Sequence, residues 1–243
     1  MKKLFYKITK KYWTMLSYEH AQKHNFIVQN GIFKGLQINK DISWGRGDIA
    51  SKVYGFYENK IQKILKDIKK PILIDIGAAD GYFAIGSLHS GLTEFCYAFE
   101  QSENGKKALL KTAEINKVSS KLSIKGKVNS NIFLSMLPKN IDFSKVALLC
   151  DIEGDEYNLF TNKILNTFKK SCLIIEIHNN VDDKIQKQFF QRAKKYFKAT
   201  IITDNEKEYL NLPELHSLND IDRSLLACEG RSYIGKWLYL KPL

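Results

Sequence analysis

Ile72-Leu-Ile-Asp75-Ile-Gly77-Ala-Ala79-Asp80-Gly81-Tyr82-Phe83 is the stretch whose reading decides the fold of this chain. Its first five residues, apolar except for Asp75, read as a buried strand. Gly77 and Gly81 then mark a turn in which the backbone can approach a ligand where side chains would collide. The apolar residues after Gly81 open a helix whose first N–H groups have no partner within the helix. A carboxylate at the strand end, Asp75, suits a ligand bearing an ammonium group, directly or through water, and suits a pyrophosphate poorly.

The spacing separates this turn from the two common phosphate-binding turns. The dinucleotide fingerprint is GxGxxG, and a P-loop needs GK[ST]; the sequence here is DxGxxxG with neither feature. The next apolar run ends in Glu100, 19 positions after Gly81, where an acid can accept hydrogen bonds from both ribose hydroxyls of an adenosine group.

Outward from this turn, short apolar runs alternate with amphipathic stretches. Strands are expected at Ile72–Ile76, Phe95–Glu100, Leu122–Ile124, Ala147–Ile152, Cys172–His178, Ala199–Thr203 and Trp237–Leu240. Tyr157, Phe160, Ile164 and Phe168 make one helical stripe, and Ile185, Phe189, Ala193 and Phe197 another. Such alternation predicts an α/β fold with an open, doubly wound, mostly parallel sheet, whose ligands bind at the carboxyl ends of the strands. Residues 71–243 form the core in this reading. Residues 1–70 form an appendage: a basic helical segment, a hairpin over Val28–Ile42 turning at Asn30–Gly31, and a lead-in helix marked by Tyr57, Ile61, Ile64 and Ile68. Residues 204–236 read as a long cap loop, and with residues 1–70 are expected to flank the carboxyl edge.

At 243 residues and 44% hydrophobic, the chain has material for one such domain with a sizeable core, which excludes a disordered protein. Its 38 lysines and arginines against 26 acids give a net charge of +12, pointing to anionic partners or to a solvated lysine-rich surface. The four cysteines form no CxxC pair, which argues against a zinc ribbon or disulfide framework and for a reducing compartment. No apolar run is long enough to span a bilayer and no signal peptide is visible, so a cytoplasmic protein is expected. The segment Lys2–Lys11 reads first as a solvated helix face, with contact to an anionic membrane as the alternative.

The DxGxxxG turn and the acid after the second strand resemble class I S-adenosylmethionine (SAM) dependent methyltransferases, with Ala79 where many of them have a middle glycine. The resemblance implies a Rossmann-like seven-stranded sheet of order 3-2-1-4-5-7-6 with the seventh strand antiparallel. It implies SAM as cofactor, bordered by Asp75, Gly77, Ala79, Asp80, Gly81, Tyr82, Phe83, Glu100 and Asp151. Two further segments, Asp151-Ile-Glu153-Gly154-Asp-Glu156 and Glu176-Ile-His178, resemble the DxEGxE and ExH motifs of the FkbM-type methyltransferases. That likeness covers roughly Tyr57 to His178. It implies methyl transfer to hydroxyl oxygens, often of sugars or polyketides, and places Tyr57 and Glu58 beside the SAM site. The tail Glu229-Gly-Arg231 with Trp237–Pro242 resembles members found with bacterial surface-polysaccharide genes.

The residues support a site without the family. Glu176 and His178 share one face of their strand, and an adjacent parallel strand would set Asp151 beside them. Two carboxylates and an imidazole could bind a divalent metal ion (Mg, Mn or Fe), or Asp151 or His178 could act as general base. Glu156 is expected to lie in the first turn of the next helix, where the dipole favours its charge. Glu153 is read as cap or ligand contact. Trp44, Arg46 and Arg231 are candidates for gripping an anionic acceptor such as a nucleotide-sugar, arginine suiting phosphate through its paired donors. Two alternatives stay open: an RNA methyltransferase, suggested by the charge but lacking an NPPY-like tetrapeptide or aromatic-basic module, and a non-catalytic interaction protein of SAM fold.

Overall fold

The computed structural model describes residues 2–40, 47–178, 181–203, 212–231 and 234–243, with side chains from residue 6. Seven strands form one sheet: β1 Ile72–Ile76, β2 Phe95–Phe99, β3 Leu122–Lys125, β4 Val146–Cys150, β5 Cys172–Glu176, β6 Phe197–Thr203 and β7 Lys236–Pro242. Their order is β3-β2-β1-β4-β5-β7-β6, with β7 antiparallel to both neighbours and the other pairings parallel. This is the expected doubly wound, Rossmann-like sheet.

Strand alternation divides the core into two layers. Leu73, Cys96, Ala98, Ala147, Leu149 and Ile174 pack on one face against α3 (Asn59–Ile68), α4 (Tyr82–His89), α5 (Glu103–Ile115) and the appendage. Ile74, Phe99, Leu148, Cys150, Leu173 and Ile175 face the other way, onto α6 (Glu156–Leu159), α7 (Asn162–Thr167) and α8 (Asp183–Ala193). The remaining helices are α1 (Lys2–Lys23), α2 (Ile49–Val53) and α9 (Asp220–Leu226). α1 packs on α2 and α9, and a third cluster there joins Leu16, Tyr54 and Phe56 to Leu215, Leu226 and Ala227. No helix among the described residues is long and apolar enough to cross a membrane.

Several local expectations are corrected. The Tyr157–Phe168 stripe is two helices, because Thr161 is extended and its hydroxyl accepts from Ile164 N–H to start a new one. Phe197 opens β6 instead of ending a helix. Of the expected 28–42 hairpin, residues 41 and 42 lie outside the described residues, and the rest is a single antiparallel bridge, Ile27 to Gln37, beside which Val28 N–H donates to Leu36 carbonyl oxygen. The lead-in helix begins at Asn59, since Glu58 sits left-handed at φ 45°, which leaves Tyr57 in the turn before it. The cap contains α9 and a 3-10 turn at Pro213–Leu215.

α4 docks against the appendage through Gly86, where an added Cβ would come within 2.6 Å of the buried Phe33 ring. Gly86→Ala should therefore destabilise the protein, since overpacking costs about 1–3 kcal/mol against about 1 kcal/mol gained in helix propensity. Thermal unfolding checks this: a melting temperature equal to or above wild type would show that Phe33 does not press on α4.

Candidate functional site

The loop after β1 is built against the ends of the neighbouring strands. Gly77 N–H and Ala78 N–H both donate to Phe99 carbonyl oxygen, and Asp151 N–H donates to Ile76 carbonyl oxygen. Gly77 lies at φ 89°, and a Cβ there would sit 1.8 Å from Asp151 carbonyl oxygen, so no other residue fits. Glu100 continues the construction: its carboxylate accepts from Ala79 N–H at 3.1 Å and from Ser102 N–H at 2.7 Å. Gly105 makes room for it, as a Cβ would fall 2.7 Å from the Glu100 carboxyl carbon.

These elements border a cleft of about 400 Å³ at the carboxyl edge of β1, β2 and β4. Of the residues singled out in the sequence, Gly77, Ala79, Glu100, Asp151, Glu153 and Tyr57 line it. Asp75, Asp80, Gly81, Tyr82 and Phe83 lie behind the wall. Asp75 shares the face of Leu73 and takes a hydrogen bond from Ala84 N–H in the first turn of α4, rather than facing the cleft. Asp80 pairs with the buried Lys52 at 2.9 Å and accepts from Tyr82 N–H. Gly81 packs on Leu109 and Ile85, while Tyr82 and Phe83 stack edge-on against Phe33. Trp44 and Arg46 lie outside the described residues.

The sequence reading missed Lys52 and Asp48. Both line the cleft, with Lys52 Nζ 3.2 Å from Asp48 and 4.9 Å from the Tyr57 ring centre. Burial alone would lower the Lys52 pKa; Asp48 and Asp80 outweigh it and raise it, so the ammonium stays charged. A five-residue helix carries too little periodicity to have flagged this lysine.

At the β4–β5 end, His178 sits among four acids. Its Nδ1 is 2.8 Å from Glu156 Oε1, and its Nε2 is 3.5 Å from both Asp151 and Glu153 and 3.8 Å from Glu176. Glu156 is fully buried and also accepts from Ile152 N–H, so its carboxylate serves this network and is more than the dipole partner expected. A carboxylate on Nδ1 holds a proton there and turns Nε2 towards Asp151 and Glu153. Burial alone would lower the His178 pKa; the Glu156 hydrogen bond and the surrounding charges outweigh it and raise it. Burial raises Asp151 and Glu176, which share a hydrogen bond, so together they hold a proton at neutral pH. Asp151 Oδ1 is buried and has no hydrogen-bond partner.

Arg231 is placed differently from the expected phosphate grip. Its guanidinium meets Glu58 and Glu176, and Glu229 at 2.9 Å, three almost fully buried carboxylates. With its donors held there, it ties the cap to the β5 end instead of presenting a fork to an acceptor. The same pairing takes one oxygen of Glu176 away from any metal, and among the described residues the ligand atoms of Asp151, Glu153 and His178 lie within 4.8 Å of one another.

No family model matches the chain, so the FkbM-type resemblance rests on its motifs alone. No curated protein matches it either. Solved structures do. An rRNA methylase from Streptococcus thermophilus is 14% identical, over 76% of this chain and 95% of that chain, with a TM-score of 0.51. The O-methyltransferase from Bacillus cereus, in complex with SAH, is 12% identical, over 75% of this chain and 79% of that chain, with a TM-score of 0.49. A tRNA (m1A22) methyltransferase from B. subtilis is 13% identical, over 75% and 65% of the two chains, with a TM-score of 0.46. At these identities the likeness is one of fold, and the fold is the seven-stranded Rossmann-like sheet shared with the rRNA methylase.

Two outcomes follow from the wall of the cleft. Gly77→Ala should cost more than about 3 kcal/mol, through a backbone clash in a left-handed conformation, or fail to fold. Burial pushes Asp75 up to about 8, with the Asp151 charge adding to it and the Ala84 N–H opposing it. The folded protein therefore keeps this proton above the ordinary carboxylate value, and the stability it contributes declines as pH rises towards 8. Asp75→Asn should gain on wild type in urea unfolding between about pH 5 and 8; a pH-independent difference would show an ionised Asp75.

Proposed function

We propose that this chain is a SAM-dependent O-methyltransferase that methylates a hydroxyl of a sugar or nucleotide-sugar, in the assembly of bacterial surface polysaccharide. The observation that carries the reading is the buried Glu156–His178 pair, whose Nε2 lies 3.5 Å from Asp151 and from Glu153, two carboxylates that line the cleft.

The residues present fit SAM. Gly77 leaves no room for a side chain where a ligand meets the turn, Glu100 offers carboxylate oxygens for ribose hydroxyls, and the orphaned Asp151 Oδ1 suits a cationic group. SAM, when bound, supplies a methyl group activated by the sulfonium. Asp48, Glu100, Asp151, Glu153 and Asp155 around the cleft favour that positive charge. A cation near Asp151 and Glu153 also competes with the proton on His178 Nε2, so that this nitrogen, once unprotonated, can take the acceptor's hydroxyl proton. Glu156 stabilises the imidazolium so formed through Nδ1. The remaining task of the cleft is alignment of acceptor oxygen and methyl group.

A divalent ion held by Asp151, Glu153 and His178 would be a second way to lower the hydroxyl pKa. The rRNA methylase likeness and the +12 charge motivate a second reading, RNA as acceptor. The five acids of the cleft weigh against phosphates close to the transfer point, those of RNA and of a nucleotide-sugar alike, which favours a sugar hydroxyl held well away from any phosphate.

A mass-spectrometric assay with SAM, pooled bacterial nucleotide-sugars or RNA, and a chelated control separates these readings. His178→Ala should lower turnover about 10²–10⁴-fold, the usual worth of a general base, with SAM affinity changed only a few fold. Normal turnover in that variant would overturn both roles of His178, and product from RNA alone would overturn the sugar reading. Loss of product on chelation, with Mn²⁺ binding abolished in Glu153→Gln, would assign the ion.

A further inference from the structure

α1 has 22 residues, and only its second half is built into the protein. Leu16, Ser17 and Ala21 are buried, and the Trp13 ring lies against Gly47 and Gly230, where added Cβ atoms would come within 2.4 Å and 2.3 Å of it. Tyr12 hydroxyl donates to Asp222 at 2.8 Å. Before Trp13 the helix projects: Tyr6 is 63% exposed and Ile8 60%, and further along Met15 is 50% exposed. Lys7, Lys10 and Lys11 are exposed between them. From residue 2 to residue 18 the sequence has five lysines and no acid. A shallow groove runs along this side from Tyr6 past Lys7, Lys10, Lys11 and Met15, and ends at the acid Glu19.

We infer that the projecting half of α1 is a docking element for an anionic lipid bilayer. The charge selects a polyanionic surface, and each lysine near anionic headgroups strengthens binding about fivefold. The apolar residues select lipid over RNA. Ile8 and Met15 have no flat face for stacking on bases, and α1 contains no arginine. Inserted at the level of the headgroups, Ile8 and Met15, seven residues apart on one side of the helix, lose apolar area to water, while the lysine stems lie along the interface with their ammonium groups in the phosphate layer. The same helix rests through Trp13 on Gly47, the neighbour of the cleft residue Asp48, so docking and cleft share one rigid support. This inference does not depend on the methyl-transfer reading.

Vesicle flotation of the full chain tests it, with vesicles of about 30% phosphatidylglycerol in phosphatidylcholine compared with pure phosphatidylcholine at about 0.15 M salt, where screening is near 8 Å. Wild type should float with the anionic vesicles only and be released at about 1 M salt, where screening shortens to about 3 Å. The triple variant Lys7→Glu, Lys10→Glu, Lys11→Glu should bind at least about a hundredfold more weakly. The double variant Ile8→Ser, Met15→Ser should lose about tenfold or more, from the apolar area no longer buried. Thermal melting confirms that each variant is folded, since all five positions are exposed. Failure of wild type to bind anionic vesicles, or full binding by the triple variant, overturns the inference. Full binding by the double variant, with equally tight binding of a single-stranded RNA oligonucleotide, overturns it in favour of a general polyanion site.

Discussion

Three carboxylates stand in a row on adjacent strands, at or just beyond the carboxyl ends of β1, β4 and β5. Asp75, Asp151 and Glu176 all belong to the face that packs on α4 and the appendage, and burial raises the pKa of each. They cannot all ionise without positive charge at hand, because the mutual repulsion of desolvated carboxylates is far stronger than in water. Much of the local construction answers this constraint. Arg231 reaches Glu176, His178 stands between Asp151 and Glu156, and Ala84 N–H is aimed at Asp75. The overall charge of +12 hides this interior: five acids, Asp48, Glu100, Asp151, Glu153 and Asp155, line the cleft against two lysines, Lys52 and Lys127.

Much of the fold was legible because its signals are local. Each strand is a short apolar run bounded by turn residues; alternation put Glu176 and His178 on one face, and an adjacent parallel strand set Asp151 beside them. What stayed hidden depends on pairing across long distances. Arg231 meets Glu58 from 173 positions away, and nothing near residue 231 announces three acids. Glu156 looked like a helix-start acid because it is one; its turn towards His178 depends on how β5 lies beside β4. The break between α6 and α7 was masked because both short helices bury residues on the same side, although Thr161 is an ordinary N-cap residue and was available as a warning. Tyr57 fits a helical stripe on spacing, and the left-handed Glu58 removes it from that helix.

Arg231 also explains how the cap and the cleft are joined. The guanidinium spans Glu58 before α3, Glu176 at the end of β5 and Glu229 in its own segment. A half-buried cation shared by three buried acids is stable only while all remain in place, since removing the cation leaves buried negative charge uncompensated. The lead-in segment, the central sheet and the cap are therefore held in one register beside the cleft, and Glu58 adopts its left-handed backbone at the junction.

The packing of α1 on the cap has a consequence for how the chain assembles. Tyr12 and Asp222 are 210 positions apart, and Trp13 finds its seat only when the loops carrying Gly47 and Gly230 have come together. Contacts of such long separation form after the chain between them has been ordered, because closing so long a loop early is entropically costly. The parallel strands β1 to β5 can organise before those contacts, whereas β7, which joins β5 to β6, follows Asp222 and Gly230 in the chain. During synthesis α1 must wait for residues 222–230 to emerge before it can dock. Until then its lysine-rich, apolar surface stays open on all sides, and the cleft has its floor before it has its walls.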